Sequence, residues 1–418
     1  MKRTGIIGGG ASGMMAAVAA AGRGAKVTIL EQRERVGKKL LATGNGKCNL
    51  SNLDFCVSRD YKSHDRKRLP SFFERFGVED TVRFFRERGM RTIDKNGYLY
   101  PRSGQAQTVL DLFREELERL GVITECSCRI LNITKKENGF IVTTDRDTYY
   151  FDRLILACGS PAGTKPSDRL GGYDFARRLG LFVYEPLPAL TALRCRDSCF
   201  RALAGVRCMA GVGIHISDKG KQREFYEYGE LQLTDYGISG IPVFQLSGYA
   251  GEALARGKKV RAVIDFLPEI PREEWGRFCQ DQYGFCLGRS AEQLGCGLLH
   301  KKIVHVLLAK CGIKPSEIVG TATKKRIFAF LDQMRSFPAE VISTNPMENA
   351  QVCMGGVALS EVDDNLQAFK IPGLYLCGEM LDVDGRCGGY NLQWAWTSGF
   401  IAGSAAKEAV ETRKKGRA

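Results

Sequence analysis

Apolar positions at the head of the chain fall in short runs separated by glycine joints. Residues 4–7 (Thr-Gly-Ile-Ile) predict a buried strand, and residues 12–22 predict an Ala-rich helix. Residues 26–30 (Lys-Val-Thr-Ile-Leu) predict a second strand, ended by Glu31. Together they predict a βαβ unit of about 30 residues. Over 105–120 the spacing of Val109, Leu112, Phe113, Leu117 and Leu120 puts apolar side chains on one helical face. Residues 122–151 alternate in strand fashion around a turn at Glu137-Asn138-Gly139. Residues 153–157 form a compact buried strand that opens into Gly159.

The texture changes near 186–194. From about 206 to 233, short strands alternate with glycines and charged turns, and 259–267 adds another strand. Residues 271–334 carry a helical pattern. Strand-like sequence returns near 340, with a buried strand over 373–377 and a long last helix over 391–413 containing Trp394, Trp396, Gly399 and Gly403. The first and last parts therefore read as one domain with an insertion. The boundaries expected are 1–190 with 340–418 for the outer domain, 191–267 with 335–339 for an inserted β domain, and 268–334 for a small helical domain.

Composition narrows the class. The chain has 418 residues, 44% hydrophobic and 26% charged, which is ordinary for a globular protein. The net charge of +14 is spread along the chain, with one dense cluster at Arg413-Lys414-Lys415-Gly416-Arg417. A diffuse excess attracts acidic ligands and phosphates, and keeps RNA in view as a partner. The 15 cysteines are odd in number and contain no Cys-x-x-Cys, and with 4 histidines no zinc-ligand spacing appears. Reduced thiols and a cytoplasmic location are expected, with no metal. Met1-Lys2-Arg3 followed by the Ala-rich stretch imitates a short signal peptide, but Gly8-Gly9-Gly10 interrupts it. No run reaches the 18 or so apolar residues of a membrane span.

Gly8-Gly9-Gly10-Ala11-Ser12-Gly13 satisfies Gly-x-Gly-x-x-Gly between a predicted strand and a predicted helix, and Glu31 lies 18 residues beyond Gly13. The first glycine permits the tight turn, the second lets the backbone approach a pyrophosphate, and the third lets helix and strand pack closely. The helix start, at Ala11 and Ser12, then turns its N–H groups to the phosphates. Glu31 accepts from a ribose diol, and its charge opposes a 2′-phosphate. Gly211-x-Gly213 and Gly295-x-Gly297 lack this strand–helix context, so only one complete fingerprint is present.

Leu154-Ile155-Leu156-Ala157-Cys158-Gly159 and Leu374-Tyr375-Leu376-Cys377-Gly378-Glu379 resemble the second and the late strand of two-dinucleotide flavoproteins. That resemblance favours FAD over NAD at this site. It also implies that Asp382 or Asp384 meets the ribityl chain.

Three longer segments are more specific. They are residues 37–52, residues 229–240 (Gly-Glu-Leu-Gln-Leu-Thr-Asp-Tyr-Gly-Ile-Ser-Gly), and residues 378–403, which include Asp-Gly-Arg-Cys-Gly-Gly-Tyr-Asn. They resemble the signatures of the YhiN/BaiN-type family of FAD-dependent oxidoreductases. The family includes aminoacetone oxidases and reductases of dehydro bile acids. The resemblance covers essentially the whole chain. It implies an α/β fold: a Rossmann-like FAD-binding domain with an inserted β domain and a small helical domain. The cofactor contacts implied beyond the glycine loop and Glu31 begin with Gln32, Lys39, Thr43, Gly44, Asn45, Cys48 and Asn49. They continue with Ile130, Ala157, Gly159, Gly378, Glu379 and Asp382, and close with Gly388, Gly389, Tyr390 and Asn391. Thr43-Gly44-Asn45-Gly46 brings backbone N–H groups close to a phosphate or flavin edge. The N-terminus of the last helix faces the pyrimidine side of the flavin in such architectures, where it stabilises negative charge. The chain departs from the family at Cys158, where Thr is usual, over 163–172, and at Gln367 and Phe369.

The reaction expected is hydride transfer from NADH or NADPH, docked transiently, through FAD to the C=C bond of a conjugated enone, with a small steroid- or bile-acid-like acceptor. The acceptor is expected at the seam between the outer and inserted domains. Tyr236, Tyr390 and Arg386 are candidates to protonate or polarise it. They read equally as a core aromatic, a flavin-packing ring and a surface charge. Cys48 and Cys387 lie in flavin-proximal motifs without the spacing of a local dithiol. Two other functions remain open: an FAD amine oxidase using oxygen, and an RNA-binding flavoprotein. Basic residues are not grouped with aromatics in an RNA motif, which weighs against the second.

Overall fold

The computed structural model describes residues 2–165, 171–218, 220–321 and 324–406. The basic cluster at 413–417, the end of the expected last helix and the middle of the 163–172 loop lie outside the described residues. The chain divides into two compact units, Met1–Pro186 with Val352–Ala418, and Leu187–Gln351.

The first unit is built on a parallel sheet. Its strands are β1 (Arg3–Ile7), β2 (Lys26–Leu30), β3 (Ile123–Glu125), β4 (Arg153–Leu156) and β5 (Leu374–Leu376). Their spatial order is β5-β4-β1-β2-β3. Every pair is parallel, with Ile6 beside Ile29 on one side and Ile155 on the other. The chain builds outward from β1 to β2 and β3, then returns to β1's other edge with β4. Ligands of open α/β sheets bind at such a reversal, beyond the carboxyl ends of the strands.

Helix α1 (Ala11–Ala21) follows β1, and helix α2 (Tyr390–Ala405) closes the described chain. Residues Ser12–Ala20 of α1 are all buried. A helix apolar all round must be covered all round, and α2 supplies part of that cover. A Cβ at Gly399 would stand 2.5 Å from the Ser12 carbonyl oxygen, and one at Gly403 would stand 2.2 Å from that of Ala16. The small residues of α2 thus let two helix backbones approach. Trp394 and Trp396 are buried in the same core.

The second unit contains a closed six-stranded barrel. The order round it is Leu193–Cys195, Gly237–Gly240, Lys221–Thr234, Arg207–Asp218, Lys259–Asp265 and Phe337–Thr344. Closure removes the exposed edges of a small sheet. Alternation sends Val212, Ile214, Leu231, Ala262 and Ile264 to one core, which also takes Ile303, Leu307, Phe330 and Leu331 from the helices between 275 and 335. The helical segment expected as a domain of its own over 268–334 shares this core. The expected boundary at 340 falls inside the last barrel strand, whose pairing with Lys259–Asp265 keeps 340–351 in this unit. An apolar run near 340 marks a strand but does not show which sheet it joins.

Candidate functional site

The glycine loop leaves β1 at its carboxyl end. Gly8 has a φ of 103°, and a Cβ there would meet the Ala157 carbonyl oxygen at 2.5 Å. A Cβ at Gly13 would stand 2.0 Å from the Gly8 oxygen, whereas one at Gly10 meets nothing within 4 Å. The first and third glycines therefore close the turn on itself, and the second faces open space. Ala11 and Ser12 open α1, with free N–H groups at its first turn. Glu31 is buried. Its Oε2 accepts from the Gly9 N–H at 2.6 Å and its Oε1 from the Arg33 N–H at 2.8 Å. The carboxylate thus braces the loop as well as standing at the end of β2. Each oxygen keeps a second lone pair for a ribose hydroxyl. Ile130 is buried, and Gln32 is half-buried beside Glu31.

Across from this loop runs the segment 37–52. Gly44, Asn45, Gly46 and Cys48 all have positive φ, at 57°, 53°, 82° and 57°. Such a run is costly for non-glycine residues. Thr43 donates its hydroxyl to the Leu40 carbonyl at 2.6 Å, and the Cys48 N–H returns to the Thr43 oxygen at 3.0 Å. Asn49 Oδ1 is buried without a hydrogen-bond partner. An unpaired buried acceptor costs about 1–3 kcal/mol, so this oxygen is an acceptor awaiting a donor.

Asn49 lies against the start of α2. A Cβ on Gly389 (φ 96°) would meet Asn49 Oδ1 at 2.8 Å, and one on Gly388 (φ 128°) would meet the Tyr98 ring at 2.9 Å. Asn52 Nδ2 donates to the Gly388 carbonyl at 3.0 Å. Asn391 clamps the preceding turn: its Nδ2 donates to the Gly385 carbonyl, and its Oδ1 accepts from the Gly385 N–H, both at 2.8 Å. Beneath, Ser51 donates to the fully buried Gln393, which donates to Thr397. These bonds hold the helix N-terminus in one place.

The Tyr390 hydroxyl donates to the Asp54 carbonyl at 2.6 Å, and burial pushes its pKa up to about 12. It is an anchor, so it does not suit the role of proton donor. Arg386 gives its N–H to the Asp60 carbonyl and has a half-buried side chain. Tyr236 lies in the other unit, where its hydroxyl accepts from Asn345 Nδ2 at 3.1 Å.

Ala157 and Gly159 lie at the end of β4, and Gly378 lies at the end of β5. A Cβ on Gly378 (φ 67°) would meet Ser12 Oγ at 2.4 Å. Glu379 Oε2 accepts from Lys39 Nζ at 2.7 Å and Ser160 Oγ at 3.0 Å, which ties the 37–52 segment to both strand ends. Asp382, which with Asp384 is the acidic residue implied for the ribityl chain, has one carboxylate oxygen engaged by His64. It is buried, and its Oδ2 accepts from the His64 N–H at 2.8 Å and contacts His64 Nδ1 at 3.0 Å. The His64 ring stacks on Tyr184, with centroids 3.7 Å apart and planes 9° apart. The His64 side chain is 47% exposed.

The structure thus gathers the glycine loop, the 37–52 segment, the ends of β4 and β5 and the start of α2 in one unit. Asn52, Tyr98 and His64 belong with them and were missed in the sequence. Asn52 carries a local signal, since it closes the Cys48-Asn49-Leu50-Ser51-Asn52 stretch. His64 carries one only in being the sole histidine outside the inserted segment.

The cysteines form no disulfide. Burial raises Cys48 and Cys377 to about 12 and also raises Cys387. A redox pair of Cys48 with Cys387 finds no support in such inert thiols. Cys56 is the exception. It is exposed, and its hydrogen bond with Ser58, followed by the Arg59 N–H, lowers its pKa. A lowered thiol pKa means thiolate forms at lower pH. Brief iodoacetamide treatment near pH 8 is expected to label Cys56 first and leave Cys48 and Cys387 intact, as peptide mass mapping would read.

Residues 2–405 match the family model described as HI0933-like protein Rossmann domain. A 3-dehydro-bile acid delta(4,6)-reductase from Clostridium scindens is 40% identical over 98% of this chain and 100% of that protein. A ribosomal RNA dihydrouridine synthase from Escherichia coli is 27% identical over 94% of this chain and 95% of that one. Among solved structures, 3-ketosteroid-delta4-(5alpha)-dehydrogenase from Rhodococcus jostii shares the fold, with a TM-score of 0.50 at 14% identity over 97% of each chain. Among the described residues no helix is long and apolar enough to cross a membrane, and no group of His, Cys, Asp or Glu is arranged to hold a metal.

Proposed function

The chain belongs to the HI0933-like family of Rossmann-domain proteins, and from that premise we propose that it is an FAD-dependent reductase. In this reading it saturates a carbon–carbon double bond conjugated with a carbonyl in a steroid- or bile-acid-like acceptor. NADH or NADPH is the electron donor. The observation that carries the reading is the 40% identity, end to end, with a bile acid reductase. The dihydrouridine synthases add to it. Making dihydrouridine also saturates a ring double bond conjugated with a carbonyl, so the activities of the two relatives share one bond type.

The residues fit FAD. The cradle at Gly8–Gly13 is one that a Cβ at either end would fill, and its middle glycine faces open space. Glu31 stands at the end of β2 for the ribose. Lys39 lies within the site, and its ion pair with Glu379 keeps its charge near the loop. The unpaired Asn49 Oδ1 lies by the start of α2 and is ready to accept from the ring end of the cofactor. The α2 N-terminus presents its free N–H groups there. Held by these residues, FAD would supply the two-electron, hydride-carrying chemistry that links a nicotinamide donor to the acceptor's β-carbon.

The protein's own task is the remaining proton. Adding hydrogen across the double bond needs one proton at the α-carbon, and the hydride completes the balance as NAD(P)H becomes NAD(P)+. We assign that proton to His64. Asp382 fixes the Nδ1 side of the ring, Tyr184 fixes its plane, and the Nε2 side is left to the acceptor.

The test is anaerobic mixing of purified protein with NADH or NADPH while following the flavin absorbance, then with a 3-oxo-Δ4 steroid. Rapid bleaching, and recovery of colour on adding the steroid, is the expected result. Bleaching that only a uridine-containing RNA reverses would move the acceptor to an RNA base, as the 27% relative suggests. No bleaching by either nucleotide, with amine-dependent oxygen uptake, would replace the reading by an amine oxidase.

A further inference from the structure

The inserted unit carries a cleft on its barrel that no part of the reductase reading uses. Its volume is about 860 Å³. That lies in the range of a small-molecule site, about 300–1,000 Å³. The cleft lies across three neighbouring strands, Arg207–Asp218, Lys259–Asp265 and Phe337–Thr344. In register, His215 stands opposite Arg261, which stands opposite Glu340, and Ser217 stands opposite Lys259. Arg196 and Lys310 lie on the rim.

The charges are unevenly matched. Arg196 is paired with Glu340 at 2.8 Å, Lys310 with Asp197, and Lys258 with Asp218 at 2.7 Å. Lys259 and Arg261 are exposed, and among the described residues neither has an ion-pair partner. They sit two residues apart on one strand and on one face, hence roughly 7 Å apart. Glu340, the carboxylate opposite Arg261, is engaged by Arg196. The cleft also holds apolar surface: Ile342 is 44% exposed and Leu254 lines the wall. An anion with a compact apolar body matches this combination. A single-stranded nucleic acid matches it less well, because such strands are held on aromatic platforms and, among the described residues, no Phe, Tyr or Trp lines the cleft, its one aromatic ring being His215.

We infer that the barrel cleft is a binding site for a ligand carrying a nucleoside diphosphate group, with the diphosphate between Lys259 and Arg261 and the nucleoside against Leu254 and Ile342. Arginine meets phosphate oxygens in a two-point fork, and lysine acts as a point charge beside it. The group has two possible sources, a free nucleotide and the adenosine half of a nicotinamide dinucleotide. The inference does not depend on the reductase reading, since it is tested by binding alone.

The experiment is calorimetric titration of the full chain, as isolated and freed of unbound nucleotide, with inorganic pyrophosphate, ADP and NADH. Binding of pyrophosphate and ADP to one site is expected, and it should weaken at high salt. Two charge-assisted contacts are lost in K259E/R261E, so its affinity is expected to fall by about tenfold or more. K259Q/R261Q, which adds no new charge, is expected to fall in the same direction. Both should keep the parent's thermal midpoint and flavin spectrum. NADH that competes with ADP, and whose KM for flavin reduction rises in K259Q/R261Q, identifies the dinucleotide as the source. ADP binding with an unchanged KM identifies a free nucleotide. No heat at millimolar pyrophosphate and ADP would overturn the inference. So would undiminished binding in both variants, which would place the ligand in the glycine loop. Tight binding of an RNA oligonucleotide that ADP does not displace would also overturn it.

Discussion

A Gly10→Val chain is expected to fold like its parent and to come off purification colourless. The argument rests on the difference between neighbouring glycines. At Gly13 a side chain would be driven into the Gly8 carbonyl at 2.0 Å, and at Gly8 into the Ala157 carbonyl at 2.5 Å. Both obstacles are backbone, so substitution there separates the turn from α1 and damages the fold together with the site. At Gly10 the backbone is extended (φ −78°), a conformation any residue accepts, and a Cβ meets nothing within 4 Å. The branches of valine therefore reach into the space that a pyrophosphate must enter to bind the N–H groups at the start of α1. Each charge-assisted hydrogen bond to a phosphate contributes about 1.5–3 kcal/mol. Losing two amounts to about 3–6 kcal/mol, or about 10² to 10⁴ in affinity. The measurement is flavin absorbance per chain alongside the thermal midpoint. Normal folding with full flavin content would show that the cofactor does not lie over Gly10. The Gly13→Val chain, run beside it, should lose both flavin and stability.

Much of this site is local in sequence, and the local part is what the sequence discloses. The glycine loop and Glu31 span 24 residues, and the structure keeps them as one hydrogen-bonded unit through the Gly9 N–H. Strands β4 and β5 announce themselves as short apolar runs because both faces are covered, whereas the edge strand β3 is largely exposed. The barrel strands appear as alternation, yet alternation says nothing of closure or of which strand seals it. What stays hidden is pairing at a distance. Tyr390 looked available for catalysis because its partner, the Asp54 carbonyl, lies 336 residues away in the chain. Asp382 or Asp384 was implied for the ribityl chain, but the bond from the His64 N–H, 318 residues earlier, to the Asp382 Oδ2 is invisible in the sequence. The unpaired Asn49 oxygen is visible only once the buried neighbours are in place, because burial, not residue type, makes an amide oxygen costly.

His64→Gln is expected to slow turnover with the enone acceptor by about 10²-fold or more, within the usual contribution of a positioned acid, about 10² to 10⁴. Three other candidates are less suited. Tyr390 donates its proton to a backbone carbonyl at 2.6 Å, and its pKa is pushed up to about 12. Tyr236 accepts from Asn345 in the other unit. Arginine holds its proton throughout the working pH range. His64 combines a fixed ring with a partly exposed side chain. The buried Asp382 oxygen at 3.0 Å holds Nδ1, and the Tyr184 ring at 3.7 Å prevents the imidazole from tipping. Glutamine keeps a hydrogen-bond donor of similar reach but has no proton to give at neutral pH. If His64 delivers the proton to the α-carbon, the loss should fall on acceptor reduction, while bleaching of the flavin by the nicotinamide donor keeps its parental rate. Asp382→Asn, which replaces the anchoring carboxylate oxygen with an amide, should weaken the same half of the cycle to a smaller degree, because His64 itself remains. A merely structural role would slow both halves together or lower flavin content and thermal midpoint. Equal slowing of both halves, or acceptor turnover within about threefold of the parent, far short of the range expected for an acid, would remove His64 from the reaction.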